Sequence, residues 1–378
     1  MKTALLHYWL TNMRGGEKVL AALAKLLPGA DIFTHAYIPE AFGEGAPTAL
    51  WGHRVHQSFI ARLPLGRRHP QAYLPILPAA SRSLKLAGYD LIVSSESGPI
   101  KGIRKPQGAR HVCYCHTPMR YLWDMHDEYY RTAGLGGRLA MRLFTNHLRR
   151  EDVKSAEAVD AFVANSAFVA ERIKRIYGRD STVVHPPVDV EFFSSAVASD
   201  LPPPLQSPYY LYAGELREYK RPDLAVAACL KMNRRLVVIG NGKLRDSLMR
   251  MTGGEANVVF LGRVPDDMLR MAFANARALL FPGKEDFGIV PVEAQAAGTP
   301  VIAFGAGGAL ETVQDGKTGL FFSSPTVESL CGAMESFEGR DWNASACRAN
   351  AATFAPHRFA AQMRAILFPQ CAADVAVT

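Results

Sequence analysis

An α/β architecture, two Rossmann-like doubly wound parallel-sheet domains facing a central cleft, is what this sequence predicts. Its 378 residues exceed what one ordinary hydrophobic core organises. A small, polar, proline-rich stretch, SSAVASDLPPPLQSP at 194–208, breaks the chain near its middle as a linker. On each side of it, short β-rich runs alternate with segments whose apolar residues recur at helical spacing.

In the first half, TALLHYWL reads as the opening strand and GGEKVLAALAKLLPG as an amphipathic helix stopped by Gly29. DIFTHAY, DLIVSSES and ARHVCYCHT are further strands ending in turn residues. AFVANSAFVAERIKRIYG gives a strand, an Asn-Ser cap and a helix, and TVVHPPVDVEFF a strand entering a Pro-Pro break. The second half repeats the grammar. Strands are expected at YYLYAGEL, RLVVIGNG, NVVFLGRV, ALLFPG and PVIAFG, with helices at RPDLAVAACLKM, KLRDSLMRMTG, DDMLRMAFANA and 291–297. In such sheets ligands bind at the carboxyl ends of strands, and the unusual residues of this chain cluster there in both halves.

Hydrophobic residues make up 48% and charged residues 21%, a soluble globular profile. Apolar runs such as RLVVIG are strand-sized and far short of a membrane span. MKTALLHYWLTN has one lysine, a histidine inside its apolar run and no small-residue cleavage site. It is therefore expected to be a strand and not a signal peptide, and the location cytoplasmic. The six cysteines (113, 115, 229, 331, 347, 371) lack the density of a disulfide framework, and Cys113-x-Cys115 is tighter than zinc spacing. Reduced, buried thiols, no bound metal and no cofactor are the expectation. The net charge of +8 suits an anionic partner. ARLPLGRRH (61–69) and RTAGLGGRLAMRLFTNHLRRED (131–152) interleave basic and apolar residues as membrane-surface segments do. Solvated helix faces over a core have the same pattern. Nucleic acid is not indicated, because no binding motif accompanies the charge.

The most informative stretch is GKEDFGIVPVEAQAAGTPVIAFGAGGALETV, 283–313. Pro291 fits the first turn of a helix and Gly298 the position just past its end, so the helix starts at about Val290. Its N-terminus faces the loop GKEDFGI, where free N–H groups suit a phosphate or sugar oxygens. Gly288 lets the backbone approach a ligand. Glu285 precedes the turn and Glu293 falls in the first helical turn, two carboxylates able to hold sugar diols from different depths. In the first half, His116 follows a strand in CYCHTPMRYLWD, while the loop SSESGPIKG (94–102) offers Ser95 and Glu96.

These stretches carry a resemblance. EDFGIVPVE, EAQAAGTPVIAFGAGGALETV and GKTGLFF resemble the donor-binding signature of retaining family 4 glycosyltransferases of the GT-B fold. MRGGEKVL, CYCHTPMRYLWD, FVANSAFV, VVHPPVDVEFF, YYLYAGELREYKRPDLAV, VVIGNGKL and VVFLGRVPDDML fall in that family's order, so the likeness covers nearly the whole chain. It implies an acceptor-side domain at 1–198, a nucleotide-sugar domain at 207–352 and a C-terminal segment at 353–378, whose HRFAAQMRAILF forms a helix returning to the first domain.

The resemblance also implies roles. Glu285 would contact the donor sugar's hydroxyls, with Phe287, Gly288 and Ile289 offering backbone amides to sugar and diphosphate. Glu293 would hold the ribose. Lys220 would neutralise the diphosphate, whose charge grows as it leaves and which no metal motif is present to absorb. Gly15 and Gly16 resemble the glycine loop that closes over the phosphates. Gly240, Gly242, Arg263 and Val264 stand where the family holds the nucleoside. His116 would position donor sugar and acceptor, and Ser95, Glu96 and Arg120 are candidate acceptor contacts. The chain departs from the family once. Glu215 occupies the place of an arginine, and Arg217 stands two residues on, on the same face if the strand continues.

The expectation is a retaining, metal-independent hexosyltransferase using a nucleotide diphosphate sugar and a polyprenyl-linked or growing glycan acceptor. It would sit at the inner face of the cytoplasmic membrane, as a peripheral partner of anionic lipid. Likeness to bacterial O-antigen and exopolysaccharide mannosyltransferases favours GDP-mannose, with a UDP-hexose as the alternative. A nucleotide-sugar epimerase and a non-catalytic sugar-nucleotide-binding protein are the readings from other classes.

Overall fold

In a computed structural model, residues 1–42, 50, 52–195, 202–206 and 208–369 are described. The chain divides into two compact units, residues 1–187 with the segment from Phe359 onward, and residues 188–358.

The first unit comprises β1 (Thr3–His7), α1 (Gly15–Leu26), β2 (Asp31–Thr34), β3 (Val55–Gln57), α2 (Leu77–Arg82), β4 (Leu91–Glu96) and β5 (Arg110–Cys115). It continues with α3 (His126–Thr132), α4 (Leu135–Glu157), β6 (Ala161–Ala164), α5 (Ala167–Tyr177) and β7 (Ser181–Val183). Its seven strands are all parallel, in the order β3-β2-β1-β4-β5-β6-β7. The order reverses between β1 and β4, which makes the carboxyl ends of those two strands the topological switch point. The sheet is covered on both faces, so its strands are apolar on both sides. Leu5, Val93, Val112 and Tyr114 meet Leu20 and Leu23 of α1, while Leu6 and Ile92 meet Leu84 and Ile100.

The second unit holds α6 (Val190–Ser194), β8 (Tyr210–Ala213), α7 (Pro222–Lys231), β9 (Leu236–Ile239), α8 (Arg245–Met251), β10 (Val258–Gly262) and α9 (Asp266–Asn275). β11 (Ala278–Phe281), α10 (Ile289–Ala296), β12 (Val301–Phe304), α11 (Ala309–Thr312), β13 (Gly319–Phe322), α12 (Val327–Glu338) and α13 (Ala344–Ala351) follow. Six parallel strands run β10-β9-β8-β11-β12-β13, with the switch point between β8 and β11. Alternate residues serve opposite faces: Leu211, Val237, Leu279 and Val301 pack on Phe273 and Val292, whereas Tyr210, Leu236, Leu280 and Ile302 pack on Leu224 and Met334.

The boundary between units falls at Pro187, ahead of the expected end of the first domain at 198. The reason is α6. Its Phe193 is buried with Leu205, Tyr209 and Phe273 of the second unit, so the Pro186-Pro187 break and not the later proline run separates the cores. Part of the expected linker, 196–201 and 207, lies outside the described residues. The C-terminal helix α14 (Pro356–Leu367) places Phe359, Met363 and Leu367, at i, i+4 and i+8, in the first unit's core beside Tyr114. Five cysteines are free and buried, and burial pushes the Cys113 and Cys115 thiols up. Cys371 lies outside the described residues.

Candidate active site

The chemistry-bearing residues gather at the two switch points, one in each unit. In the second, β8 ends at Ala213 and the chain crosses an irregular segment into a 3₁₀ turn at Glu218–Lys220. From this turn the Lys220 ammonium reaches the loop after β11 and donates to both carboxylate oxygens of Glu285, at 2.8 and 2.9 Å. The two side chains are only 15% and 18% exposed. Glycine makes the approach possible: a Cβ on Gly283 would lie 2.6 Å from the Lys220 Cα, closer than any real side chain sits.

The second glycine cluster works in the same way. Gly308 donates its N–H to the Glu285 carbonyl at 2.9 Å, and a Cβ there would stand 2.2 Å from the Phe287 Cα. The loop carrying Glu285 is thus laid directly on residues 307–308. Gly240 and Gly242 pack in similar fashion against the backbone of Gly214 and Leu216. Arg263 follows β10 and is exposed, with Val264 half-buried beside it.

Helix α10 begins at Ile289, with Gly288 as its cap at φ 97°, a conformation that favours glycine. Its end is a Schellman motif: Gly298 N–H donates to Gln295 and Thr299 N–H to Ala294. Because the helix starts at Ile289, Glu293 stands at its fifth position, past the first turn, and is buried. Phe287 turns its ring into the core against Phe354.

Arg217 does not continue a strand. β8 has already ended, and the Arg217 guanidinium donates through Nε to Glu215 at 2.8 Å. The same-face argument therefore fails, and the arginine and the acid that replaced the family's arginine satisfy each other. Lys220 is the cation at the Glu285 carboxylate.

In the first unit the strand register places His7 of β1 opposite Ser95 of β4, with Tyr114 of β5 on the other side. His116 directly follows β5 and its N–H donates to the Glu96 carbonyl at 2.8 Å. The His116 Nε2 lies 2.9 Å from Ser95 Oγ, in hydrogen-bond contact. Burial, and then the neighbouring His7, lower the His116 pKa to about 3, so the ring is neutral at pH 7. Gly16, in the first turn of α1, presses on this cluster. A Cβ there would touch His116 Nε2 and His7 at 3.6 Å and Tyr8 Oη at 3.5 Å.

Sequence reasoning passed over His7, Tyr8 and Glu17. His7 is fully buried, 3.6 Å from the buried Glu17 carboxylate, with no hydrogen bond to either ring nitrogen among the described residues. Glu17 reaches back over the start of α1 to accept from the Arg14 N–H at 3.0 Å. The signal was the histidine inside TALLHYWL, a polar residue where a buried strand is otherwise apolar.

Glu96 is placed differently from Ser95. It is buried, accepts from the Lys101 ammonium at 3.0 Å and from the Lys101 N–H at 2.9 Å. Lys101 in turn contacts Asp152 of α4 at 2.6 Å, and the Trp123 indole donates to Asp152 at 2.8 Å. Burial works against the Lys101 ammonium, but Asp152 and Glu96 overcome it and hold its pKa well above the ordinary value. Glu96 thus ties a strand end to a helix. Arg120, four residues after His116, is half-buried.

With this geometry in view, the comparisons are specific. Residues 13–192 match the family described as Glycosyltransferase Family 4, and residues 196–354 match Glycosyl transferases group 1. D-inositol 3-phosphate glycosyltransferase of Mycobacterium bovis (strain BCG / Pasteur 1173P2) is 30% identical over 222 residues, 52% of this chain and 46% of that protein. The chain spans about half the length of the curated relatives it matches. Sucrose-phosphate synthase from Thermosynechococcus elongatus has the same fold, with a TM-score of 0.73 at 20% identity over 99% of this chain and 100% of that one. Anabaena Alr3699/HepE in complex with UDP-glucose aligns with a TM-score of 0.70 at 18% identity, over 97% of this chain and 99% of that one. The chain thus carries a Glycosyltransferase Family 4 domain followed by a Glycosyl transferases group 1 domain, on the GT-B fold.

Proposed function

We propose that this chain transfers a hexosyl group from a nucleotide diphosphate sugar to a lipid-linked or growing glycan, with retention of configuration and without a metal ion. The observation that carries the reading is the Lys220–Glu285 pair at the β8/β11 switch point. A mostly buried cation and carboxylate suit a ligand with both a diphosphate and a polyol: the diphosphate takes over the ammonium while the hexose hydroxyls donate to the carboxylate. Lys220 then sits where negative charge grows on the leaving diphosphate, the point at which a fixed cation accelerates transfer most. Glu293 and the peptide groups of Phe287, Gly288 and Ile289 hold the ribose and the phosphates. Arg263, Val264, Gly240 and Gly242 shape the nucleoside end, and Gly15 and Gly16, the first residues of α1, are proposed phosphate contacts.

His116, neutral and anchored on Ser95, orients the reacting sugar and the incoming hydroxyl, with Ser95 and Arg120 on the acceptor side. Glu96 supports them from beneath through Lys101. The resemblance to bacterial O-antigen and exopolysaccharide mannosyltransferases favours GDP-mannose as the donor. The UDP-glucose held by a relative of the same fold supports a UDP-hexose as the second reading.

No helix among the described residues is long and apolar enough to cross a membrane. We place the protein at a membrane surface through α4, whose residues 135–140 are all exposed and carry Leu135, Leu139 and Arg138. Incubation with a panel of nucleotide sugars and a polyprenyl-linked glycan, scored for nucleoside diphosphate release and for the anomer of the product, tests the whole reading. Release unaffected by EDTA and a retained anomer are expected; no turnover of any sugar nucleotide would sink it.

A further inference from the structure

A cavity of about 390 Å³ opens in the first unit between α2, the turn at 99–101 and α4, within the ~300–1,000 Å³ of ordinary ligand sites. Leu74, Pro78, Ile103, Met119 and Leu148 give it apolar walls. Two observations say what it holds. The first concerns α4, whose second half forms a wall. Its first half projects from the unit with Leu135, Leu139 and Leu143 exposed at 85%, 59% and 63%, at i, i+4 and i+8. Arg138 and Arg142 stand exposed between them. This apolar ridge with interleaved cations matches an anionic bilayer surface, and the like charge disfavours pairing with a second copy. Leu143 is five residues from Leu148, about 7.5 Å along the helix, and the two point to different sides of α4: the ridge faces outward while Leu148 is buried toward the cavity.

The second observation concerns the opposite wall. Met119 follows His116 by three residues, and Pro99–Lys101 follow Ser95 and Glu96, so this wall is continuous with the loops that carry the candidate acceptor contacts. The buried Glu96–Lys101–Asp152 network fastens these loops to α4. The Arg82–Glu151 ion pair joins α2 to α4 at the cavity rim. The cavity is held open by these ties rather than filled by side chains.

We propose that this cavity binds the hydrocarbon chain next to the head group of a membrane-borne acceptor, with the outward ridge of α4 holding this unit at the bilayer. The inference rests on the lipid-linked reading of the acceptor given above and adds its site. Arg82, Glu151, Lys154 and Glu157 also stand in the lining, and each methylene moved from water against the apolar walls gains about 0.8 kcal/mol.

The test uses the whole chain and 11-(dansylamino)undecanoic acid, a fluorescent hydrocarbon probe. The native chain is expected to bind it with a blue shift. Ile103→Trp, which fills the cavity, and the milder Ala158→Leu at its edge should weaken binding at least tenfold, with thermal stabilisation by nucleoside diphosphate unchanged. Both variants should still pellet with phosphatidylglycerol–phosphatidylcholine vesicles, whereas Leu139→Ser with Leu143→Ser should not. No probe binding by the native chain, or equal binding by two folded filled variants, overturns the proposal. Failure of the native chain to turn over any sugar nucleotide would instead overturn the transferase reading, and the probe result would stand apart from it.

Discussion

The ammonium of Lys220 lies 2.8 and 2.9 Å from the two oxygens of Glu285, although 65 residues separate them in the chain. Each is the other's counter-charge until a ligand divides them, so neither substitution is a clean deletion of one contact. Lys220→Ala removes a charge-stabilising group and leaves a mostly buried carboxylate unmatched. A loss in kcat/KM of about tenfold to a thousandfold is expected. Glu285→Ala should lower kcat more than affinity for the free nucleoside diphosphate, while Glu293→Ala should do the reverse. Because the pair is in contact, the double variant Lys220→Ala/Glu285→Ala should lose less than the sum of the two singles. Steady-state kinetics and titration calorimetry on the four proteins decide it, and additive losses would show that the pair does not act as a unit.

Gly283 supports that pair through the Cβ it lacks. Its missing Cβ leaves room for the Lys220 backbone, which would otherwise be 2.6 Å away. Gly283→Ala should displace the 3₁₀ turn that carries Lys220 by a fraction of an ångström or more. Displacements near 1 Å cost about a hundredfold in rate. The expected result is a fall in kcat/KM of that order with a modest drop in melting temperature. Gly254→Ala, with no neighbour within 4 Å of its Cβ position but φ 88°, is the control for backbone strain alone. Equal loss of activity in both would remove the positioning role.

What could be read from sequence was local chemistry. Pro291, Gly298 and the Ser166 cap each specify a helix end through neighbours a few residues away, and the Ser166 hydroxyl does accept from Val169 at 3.0 Å. The glycine clusters were legible as special backbone, but their main contact is with other loops, a relation no spacing encodes. Arg217 stands beyond the strand because the length of β8 is set by pairing with β9 and β11. Lys101 and Asp152 stand 51 residues apart and His7 meets Glu17 only once α1 folds back. Their polarity was visible, and their partners were not. β3 escaped notice because three residues, VHQ, carry too little alternation to count.

Stability should fall with acidification before ordinary carboxylates titrate. Burial lowers His35 and His111 to about 4, and burial with His7 lowers His116 to about 3, all from 6.5. Below pH 6.5 the unfolded chain takes up protons at these rings and the fold does not, so unfolding free energy decreases as pH drops from 6.5 towards 4. Each such site contributes a slope of up to ~1.4 kcal/mol per pH unit. Glu96, raised by burial, opposes them with at most one proton. Asp31 and Asp160, lowered from 3.8, add their loss beneath that window, and Glu338, lowered from 4.5, adds its loss from the lower end of the window downward. Urea unfolding at about pH 7, 6 and 5 should show a falling midpoint, with a shallower fall in His35→Gln. A midpoint that rises on acidification would contradict the neutral, buried state of these rings.

The Glu96–Lys101–Asp152 network gives the sharpest stability prediction, because removing its one cation leaves two buried carboxylates facing each other. Lys101 is fully buried and Glu96 and Asp152 nearly so. Breaking a buried pair by deleting one partner typically costs about 3–5 kcal/mol, chiefly the penalty of the charge left behind. Lys101→Met should therefore lower the melting temperature by many degrees, whereas Lys101→Met combined with Glu96→Gln and Asp152→Asn should recover much of the loss. The Asp152 carboxylate also accepts from Trp123 and Tyr177, so Asp152→Asn alone should cost less than Lys101→Met, since an amide oxygen can keep those two donors. The network holds the loop after β4 to α4, so the single Lys101→Met variant, assayed below its melting temperature, should also show a raised KM for acceptor with little change in affinity for the nucleotide. Unfolding calorimetry on the single and triple variants reads the first effect, and a triple variant no more stable than Lys101→Met would show that charge balance is not what the network supplies.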